Sequence, residues 1–384
     1  MRLAIITTHP IQYYAPIFKL LHEREKISIK VFYTWGKAAL NKYDPGFDQH
    51  ITWDIPLLDG YLYEWVINTA TDPGTHHFKG IINPDLRYQV EAWQPDAVLF
   101  YGWGYHGHLK AIRYFKNRVP VFFRGDSTLL DEKKGIKGLL KTIFLKWVYH
   151  HVDHAFYVGT NNKAYFKKYG LKDNQLSFAP HAIDNDRFSA DRSGEALLLR
   201  QELAVKDTDI LVLFAGKLEV KKSPSLLLDA FLKLKNNNTH LLILGNGTLE
   251  TVLKEKAKGI KNISFISFKN QSLMPSVYQA CDLFCLPSNG PGETWGLAVN
   301  EAMACGRAVL VSDKVGCAID LVKENYNGSI FKSNNIDDLI DTLDKLTRSK
   351  QMLNEYGKNG KVLIHDWNFL KIAEAIENKL NETI

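Results

Sequence analysis

Leu283-Phe284-Cys285-Leu286-Pro287 runs through Ser288-Asn289-Gly290-Pro291-Gly292-Glu293-Thr294-Trp295 into Gly296-Leu297-Ala298-Val299-Asn300-Glu301-Ala302-Met303-Ala304-Cys305-Gly306, and Ala308-Val309-Leu310-Val311 follows. A short apolar run, a polar Gly/Pro loop, an apolar segment closed by glycine and a second apolar run read as strand, loop, helix, strand. Neither strand alternates in polarity, as expected of parallel strands covered on both faces. Moving outward, Ile210–Ala215, His240–Leu244 and Ile263–Ile266 repeat the pattern. So do Leu3–Thr7, Ser28–Tyr33, Ala97–Tyr101, Val121–Arg124 and His154–Val158 in the first half. Two sets of about five such strands, with helical stretches between them, predict an α/β chain with two Rossmann-like parallel sheets.

The boundary falls in the short polar stretch Ala179–Ala190. The expected domains are 1–185 and 186–366, with residues 367–384 carrying an amphipathic helix predicted to cross back onto the first. Residues 36–95 fit the strand-helix rhythm poorly and read as elaborated loops that shape a pocket.

At 384 residues the chain can bury two cores. Its 45% hydrophobic and 23% charged residues exclude disorder, collagen-like repeats and coiled coil. Residues 1–190 hold 24 Lys and Arg against 18 Asp and Glu, which is the whole net charge of +6. An anionic partner of low specificity should therefore meet the first half. The apolar run at the N-terminus is too short for a signal peptide, and no uninterrupted run reaches the roughly 18 residues of a spanning helix. Cys281, Cys285, Cys305 and Cys317 include no CxxC pair. They read as buried free thiols in a reducing cytoplasm rather than a disulfide framework or zinc site.

Open parallel sheets bind ligands at the carboxyl ends of their strands. After Ile210–Ala215 comes Gly216-Lys217-Leu218-Glu219-Val220-Lys221-Lys222-Ser223-Pro224, two lysines just before a helix start, a site suited to a pyrophosphate. Gly245-Asn246-Gly247 would let another group approach the backbone closely. Glu293 would lie in the loop and Glu301 two turns into the following helix, where carboxylates can hold vicinal hydroxyls or stabilise positive charge at a glycosidic carbon. Gly296 and Leu297 would offer free backbone N–H groups.

In this order these motifs resemble the retaining glycosyltransferases of family 4, which have the GT-B fold: two Rossmann-like domains with parallel sheets facing across a cleft. The resemblance covers almost the whole second half and is most specific over Trp295–Gly306. It implies that Lys217 and Lys222 hold the diphosphate of a nucleotide-sugar donor (UDP- or GDP-linked), with Gly296 and Leu297 adding N–H groups. Glu301 would bind the ribose and Glu293 would face the transferred sugar. Gly245, Asn246 and Phe268 would border the base, and Thr294 and Trp295 complete the donor loop. No metal is expected. The acceptor, a glycan or lipid-linked hydroxyl, would meet the first half at Gln12, Tyr13, Trp103 and His106. Where many members place a histidine, this chain has Val121-Phe122-Phe123-Arg124-Gly125-Asp126. Arg124 would neutralise the leaving phosphate or Asp126 orient the acceptor hydroxyl, and the sequence does not choose between them. The implied activity is retaining sugar transfer in surface polysaccharide or glycoconjugate assembly. The alternatives are a phosphorylase or sugar-nucleotide epimerase of the same fold, or a silent nucleotide-sugar-binding subunit.

Lys133–His150 interleaves lysines with Ile136, Leu139, Leu140, Ile143, Phe144, Trp147 and Val148. Such a helix either docks on anionic lipid or packs on its own sheet. Its place between two strands favours packing. His106, His108, His150, His151 and His154 lack the carboxylate or thiolate company of a metal site. The lysines are too diffuse for a nucleic-acid groove.

Overall fold

The ten apolar runs form strands whose ends differ from expectation by at most one residue. The computed structural model describes residues 1–384 apart from 42, 45–48, 51, 133–134 and 237. The chain divides into two units. One is Met1–Lys42 with Ile55–His181 and Phe369–Ile384; the other is Tyr43–Asp54 with Ala182–Asn368.

The first unit holds a seven-stranded sheet in the order Tyr63–Trp65, Ser28–Tyr33, Arg2–Thr7, Ala97–Tyr101, Val121–Arg124, His154–Tyr157, Leu176–Phe178. The second holds six strands in the order Ile263–Ile266, Thr239–Leu244, Ile210–Ala215, Leu283–Leu286, Ala308–Ser312, Gly328–Phe331. Every pairing in both sheets is parallel. Among the described residues five strands escape the sequence reading: the short antiparallel pair Tyr43–Asp44 and Gln49–His50, and in the two large sheets Tyr63–Trp65, Leu176–Phe178 and Gly328–Phe331. The last three are three or four residues long, lie at sheet edges, and read Tyr-Glu-Trp, Leu-Ser-Phe and Gly-Ser-Ile-Phe, so none offers the unbroken apolar run that marks a central strand.

In both sheets the chain starts in the middle, winds to one side, then returns to the other side of its first strand. The switch points lie between Arg2–Thr7 and Ala97–Tyr101, and between Ile210–Ala215 and Leu283–Leu286. Side-by-side neighbours there send their following loops in opposite directions, which leaves a crevice at the carboxyl ends.

The helix Phe369–Thr383 belongs to the first unit and packs on the helix Ala15–Glu23. Glu377 is 1% exposed and takes a bidentate pair from Arg24, Nε to Oε1 at 2.7 Å and Nη2 to Oε2 at 2.9 Å. Paired in this way, a buried carboxylate can tie down a C-terminal segment.

The helix Ile136–His150 packs on its own unit as expected, but through few of its apolar residues. It packs inward through Leu145, Val148 and Tyr149. Ile136, Leu139, Leu140 and Ile143 are each about 60–80% exposed, and Phe144 and Trp147 about 40%. The inward stripe needs only one residue per turn, so the remaining apolar positions face out. Lys137, Lys141 and Lys146 are exposed on the same helix, while Lys133 and Lys134 lie outside the described residues. Among the described residues no helix is long and apolar enough to cross a membrane. The four cysteines are buried free thiols.

His108 is fully buried between Thr34 Oγ1 at 2.7 Å and the Gly102 carbonyl at 2.9 Å. Burial holds its imidazole down to about 4, from 6.5. The unfolded chain therefore binds more protons between these values, and stability falls as pH drops from 6.5 towards 4. Urea unfolding across that window should show the loss, and His108→Asn should have a shallower slope. An equal slope in the variant would remove His108 as its source.

Candidate functional site

The switch point of the second unit joins two loops. The first, Gly216–Ser223, leaves the strand Ile210–Ala215; the second, 287–296, leaves Leu283–Leu286. The Asn289 N–H donates to the Lys221 carbonyl at 2.9 Å and ties one loop to the other. Lys222 Nζ then reaches Glu293 Oε2 at 2.5 Å, and Ser288 Oγ donates to the same oxygen at 2.7 Å. Glu293 is 7% exposed. A buried carboxylate is tolerated only with such partners, so the pair and the hydroxyl together explain its position.

The loop carrying Glu293 is stitched in place from the other side. Gly316 N–H donates to the Glu293 carbonyl at 3.1 Å, and Cys317 N–H to the Trp295 carbonyl at 2.9 Å. A Cβ on Gly316 would lie 1.8 Å from the Thr294 carbonyl oxygen, so only glycine admits this approach. Trp295 is buried; its indole N–H donates to Asn300 Oδ1 at 2.9 Å and its ring packs on Trp367. The sequence reading put Trp295 at the donor. The structure turns its ring inward, where it holds the loop, because a large apolar ring gains more from burial than from a polar crevice.

Gly296 precedes the helix Leu297–Ala304 in the left-handed region, with φ +96°. A Cβ there would sit 2.8 Å from Val315 Cγ1. No side chain caps this helix. The Val299 N–H donates to the Gly296 carbonyl at 2.9 Å, which leaves the Leu297 and Ala298 N–H groups at the helix start, at the end of the loop that carries Glu293, as donors suited to an anion. Two turns along, Glu301 is 3% exposed and accepts from the buried Tyr278 hydroxyl at 2.8 Å.

Lys217 is half-buried at the start of the first loop. The next residue laces that loop to the Gly-Asn-Gly turn: Leu218 N–H donates to the Asn246 carbonyl, and Leu249 N–H to the Leu218 carbonyl, both at 2.9 Å. Gly245 has φ +136°, and a Cβ would fall 2.0 Å from the Gly216 oxygen. Asn246 Oδ1 accepts the Phe268 N–H at 2.7 Å, which joins Gly245, Asn246 and Phe268 into one wall.

In the first unit, Gln12 and Tyr13 form the turn after Arg2–Thr7, and Trp103 and His106 follow Ala97–Tyr101, both at the switch point. Trp103 packs edge-on to Phe144, and His106 to Phe78. Arg124 is 2% exposed and donates to the carbonyls of Ala179 and Pro180 at 2.7 and 2.8 Å. A guanidinium so engaged shapes the chain near His181. Asp126, by contrast, is 42% exposed and lies 3.8 Å from His181 Nε2. His181 is buried, lies parallel to Tyr14 with ring centroids 6.3 Å apart, and burial holds its imidazole below the ordinary value, partly offset by Asp126. Burial also pushes the Tyr101 phenol up to about 12. The sequence reading missed His181, Tyr14, Ser288 and Tyr278 as site residues. Ser288 stood in the loop after Leu283–Leu286 that the sequence reading singled out, and His181 in the boundary stretch Ala179–Ala190. Asp72, His76 and His77 offer metal-ligand atoms within 4.8 Å of one another on the surface.

Residues 197–363 match the family described as Glycosyl transferases group 1. That stretch lies within the second unit. Among its curated relatives, the D-inositol 3-phosphate glycosyltransferase of Stackebrandtia nassauensis is 28% identical over 194 residues, 46% of this chain and 42% of that protein. The UDP-Gal:alpha-D-GlcNAc-diphosphoundecaprenol alpha-1,3-galactosyltransferase of Escherichia coli is 27% identical over 214 residues, 53% of each. The chain spans about a third to a half of the length of these curated relatives. HepE of Anabaena, solved with UDP and glucose, aligns over 100% of both chains with a TM-score of 0.73 and 16% identity. WaaG, a glycosyltransferase involved in lipopolysaccharide biosynthesis, aligns over 99% of both with a TM-score of 0.68 and 15% identity. The fold of this chain is therefore GT-B.

Proposed function

We propose that this chain is a retaining glycosyltransferase that takes a nucleoside diphosphate sugar on its second unit and an acceptor hydroxyl on its first. The observation that carries the reading is the Lys222–Glu293 pair beside the uncapped start of Leu297–Ala304, at a switch point. A cation, a row of N–H groups and a buried carboxylate there suit a leaving diphosphate with a sugar attached. Lys217 adds a second ammonium, Glu301 takes the ribose hydroxyls, and Gly245, Asn246 and Phe268 border the base. Glu293 passes from Lys222 to the transferred sugar once the diphosphate neutralises that lysine. The diphosphate assists removal of the acceptor proton, which gives retention by a front-face route. Between Arg124 and Asp126, the exposed Asp126 is the group that orients the acceptor hydroxyl. The charge of the diphosphate is met by protein groups, so transfer is metal-independent and chelator should leave it unchanged.

Uridine donors are the first to test, because one relative is named for UDP-Gal and one structural neighbour was solved with UDP and glucose. The exposed apolar face of Ile136–His150 and its lysines extend the reading to peripheral docking on anionic membrane at the cytoplasmic face, where a lipid-linked acceptor of polysaccharide assembly would lie. Nucleoside diphosphate should appear only when an acceptor alcohol is present, with the anomeric configuration kept in the product. Release or interconversion without acceptor would favour a phosphorylase or epimerase. Binding without turnover for any donor and acceptor would leave a silent subunit.

A further inference from the structure

Asp72-Pro73-Gly74-Thr75-His76-His77 lies in a loop of the first unit, between the strand Tyr63–Trp65 and the helix Leu86–Ala92. None of these residues has a part in the transfer proposed above. The loop is closed at its base by Asn68. Its Oδ1 accepts the N–H groups of Ala70 and Ile82 at 3.1 and 2.9 Å, and its Nδ2 donates to the Gly80 carbonyl at 2.9 Å. The Gly74 N–H donates to the same carbonyl at 3.0 Å, and the Gly80 N–H to the His77 carbonyl at 3.1 Å. A Cβ on Gly80 would lie 2.2 Å from the Gly74 oxygen, so the loop folds back on itself only with glycine there. A Cβ on Gly74 would fall 2.5 Å from His76 Nδ1 and push that ring aside.

This backbone brings two imidazoles to one carboxylate oxygen. Asp72 Oδ2 lies 3.0 Å from His76 Nε2 and 3.3 Å from His77 Nε2. His77 Nε2 is also 3.0 Å from the main-chain oxygen of Asp72. Protons alone serve this arrangement poorly. A neutral imidazole has a single N–H, yet His77 Nε2 faces two oxygens, and Asp72 Oδ2 faces two ring nitrogens. One cation among these atoms would meet all of their lone pairs at once.

The spacing suits such an ion. Zinc holds imidazole nitrogen and carboxylate oxygen at about 2.0–2.2 Å, so the edges of its tetrahedron are roughly 3.3–3.6 Å long. The two nitrogen-to-carboxylate separations already lie at or just below that length. The two ring nitrogens lie within 4.8 Å of one another, and the ring centroids are 4.6 Å apart. The side chains of Asp72 and His76 are 70% and 62% exposed and that of His77 37%. Rotation of an exposed ring can therefore close the remaining edge, and an ion reaches the three ligands without any opening of the fold. Two imidazoles with a carboxylate select zinc and its transition-metal neighbours over magnesium and calcium, which take oxygen ligands.

We propose that Asp72, His76 and His77 bind a divalent transition-metal ion of the zinc class, with the fourth position taken by the Asp72 carbonyl or water. The ion cross-links the loop. The loop in turn braces the start of the helix His106–Phe115: the Tyr105 hydroxyl donates to the Thr75 carbonyl at 3.4 Å, and Phe78 packs edge-on to His106. The ion meets no reacting group, so the site stands or falls apart from the transfer mechanism.

The full chain, stripped with chelator, should take up one equivalent of zinc in calorimetry, and its melting temperature should rise with zinc concentration, as for any ligand of the folded state alone. Magnesium at the same concentration should do neither. Asp72→Asn, His76→Gln and His77→Gln replace exposed groups and should melt as wild type without metal. Loss of an outer partner of a metal ligand costs about 10–100-fold in affinity, and loss of a ligand should cost no less in each variant. His150→Gln/His151→Gln, which removes another adjacent histidine pair, should bind zinc as wild type does. Zinc should also slow amide exchange over residues 72–80 in wild type and not in His76→Gln. Zinc uptake unchanged in the three loop variants would overturn the site, as would failure of the wild-type chain to bind. Magnesium binding as tightly as zinc would overturn the assignment to a transition metal.

Discussion

Glu293→Gln should slow acceptor-dependent release of nucleoside diphosphate by about 10²–10³-fold, the size seen when one preorganised charge-stabilising group is removed. Nucleotide affinity should change little. Glutamine suits the test because a single oxygen, Oε2, receives both Lys222 Nζ and Ser288 Oγ. An amide oxygen can accept both contacts, so the loop keeps its shape while the negative charge is lost. Alanine would instead leave Lys222 facing an empty space beside Ser288, and a fall in rate could then come from loop collapse. Initial rates, calorimetric nucleotide binding and melting should be measured together. Unchanged turnover in a folded Glu293→Gln protein would remove this carboxylate from the mechanism.

Lys222→Met should act on both binding and folding. A charge-assisted contact to a phosphate contributes about 1.5–3 kcal/mol, so nucleoside diphosphate should bind roughly 10–100-fold more weakly. The melting temperature should also fall, because Glu293 at 7% exposure would lose the cation paired with it. Breaking a buried pair costs about 3–5 kcal/mol in general. Here the lysine side chain is 22% exposed, so water can reach the pair and the loss belongs at or below the lower end. Lys222→Met/Glu293→Gln should recover the melting temperature and stay inactive. That pattern separates the two roles of the lysine. Full nucleotide affinity in Lys222→Met would mean that the helix start and Lys217 hold the diphosphate alone.

Much of this site could be read before folding was considered. Lys217, Lys222, Glu293 and Gly296 all sit in loops directly after apolar strands, with Glu301 further along the helix that follows, and in a parallel sheet such loops share one edge. Their sequence order therefore points them to one edge of the sheet, where Lys222 and Glu293 pair. Partners were harder to read. Ser288 meets Glu293 across five residues of a loop with no repeating geometry, and Tyr278 meets Glu301 from another helix. His181 reaches Asp126 only because the chain beyond Leu176–Phe178 turns back, with Arg124 gripping the carbonyls just before it. Nothing periodic in the sequence encodes such a return.

Two side chains show the limit from the other direction. Arg124 and Trp295 have the chemistry of a binding site, yet both are buried and committed to the protein's own groups. Residue type states what a side chain can do; its contacts in the fold show what it already does.

By itself the amino-acid order determined the central strands, the parallel sheets and the loops that bear lysine and carboxylate, since unbroken apolar runs and glycine-rich turns are local properties of the chain. The outward face of Ile136–His150 and the pairing of Lys222 with Glu293 were decided only in three dimensions. Helical spacing marks seven apolar positions on that helix but not which of them meet the sheet. Contacts between distant segments depend on how whole elements pack, which no window of sequence contains.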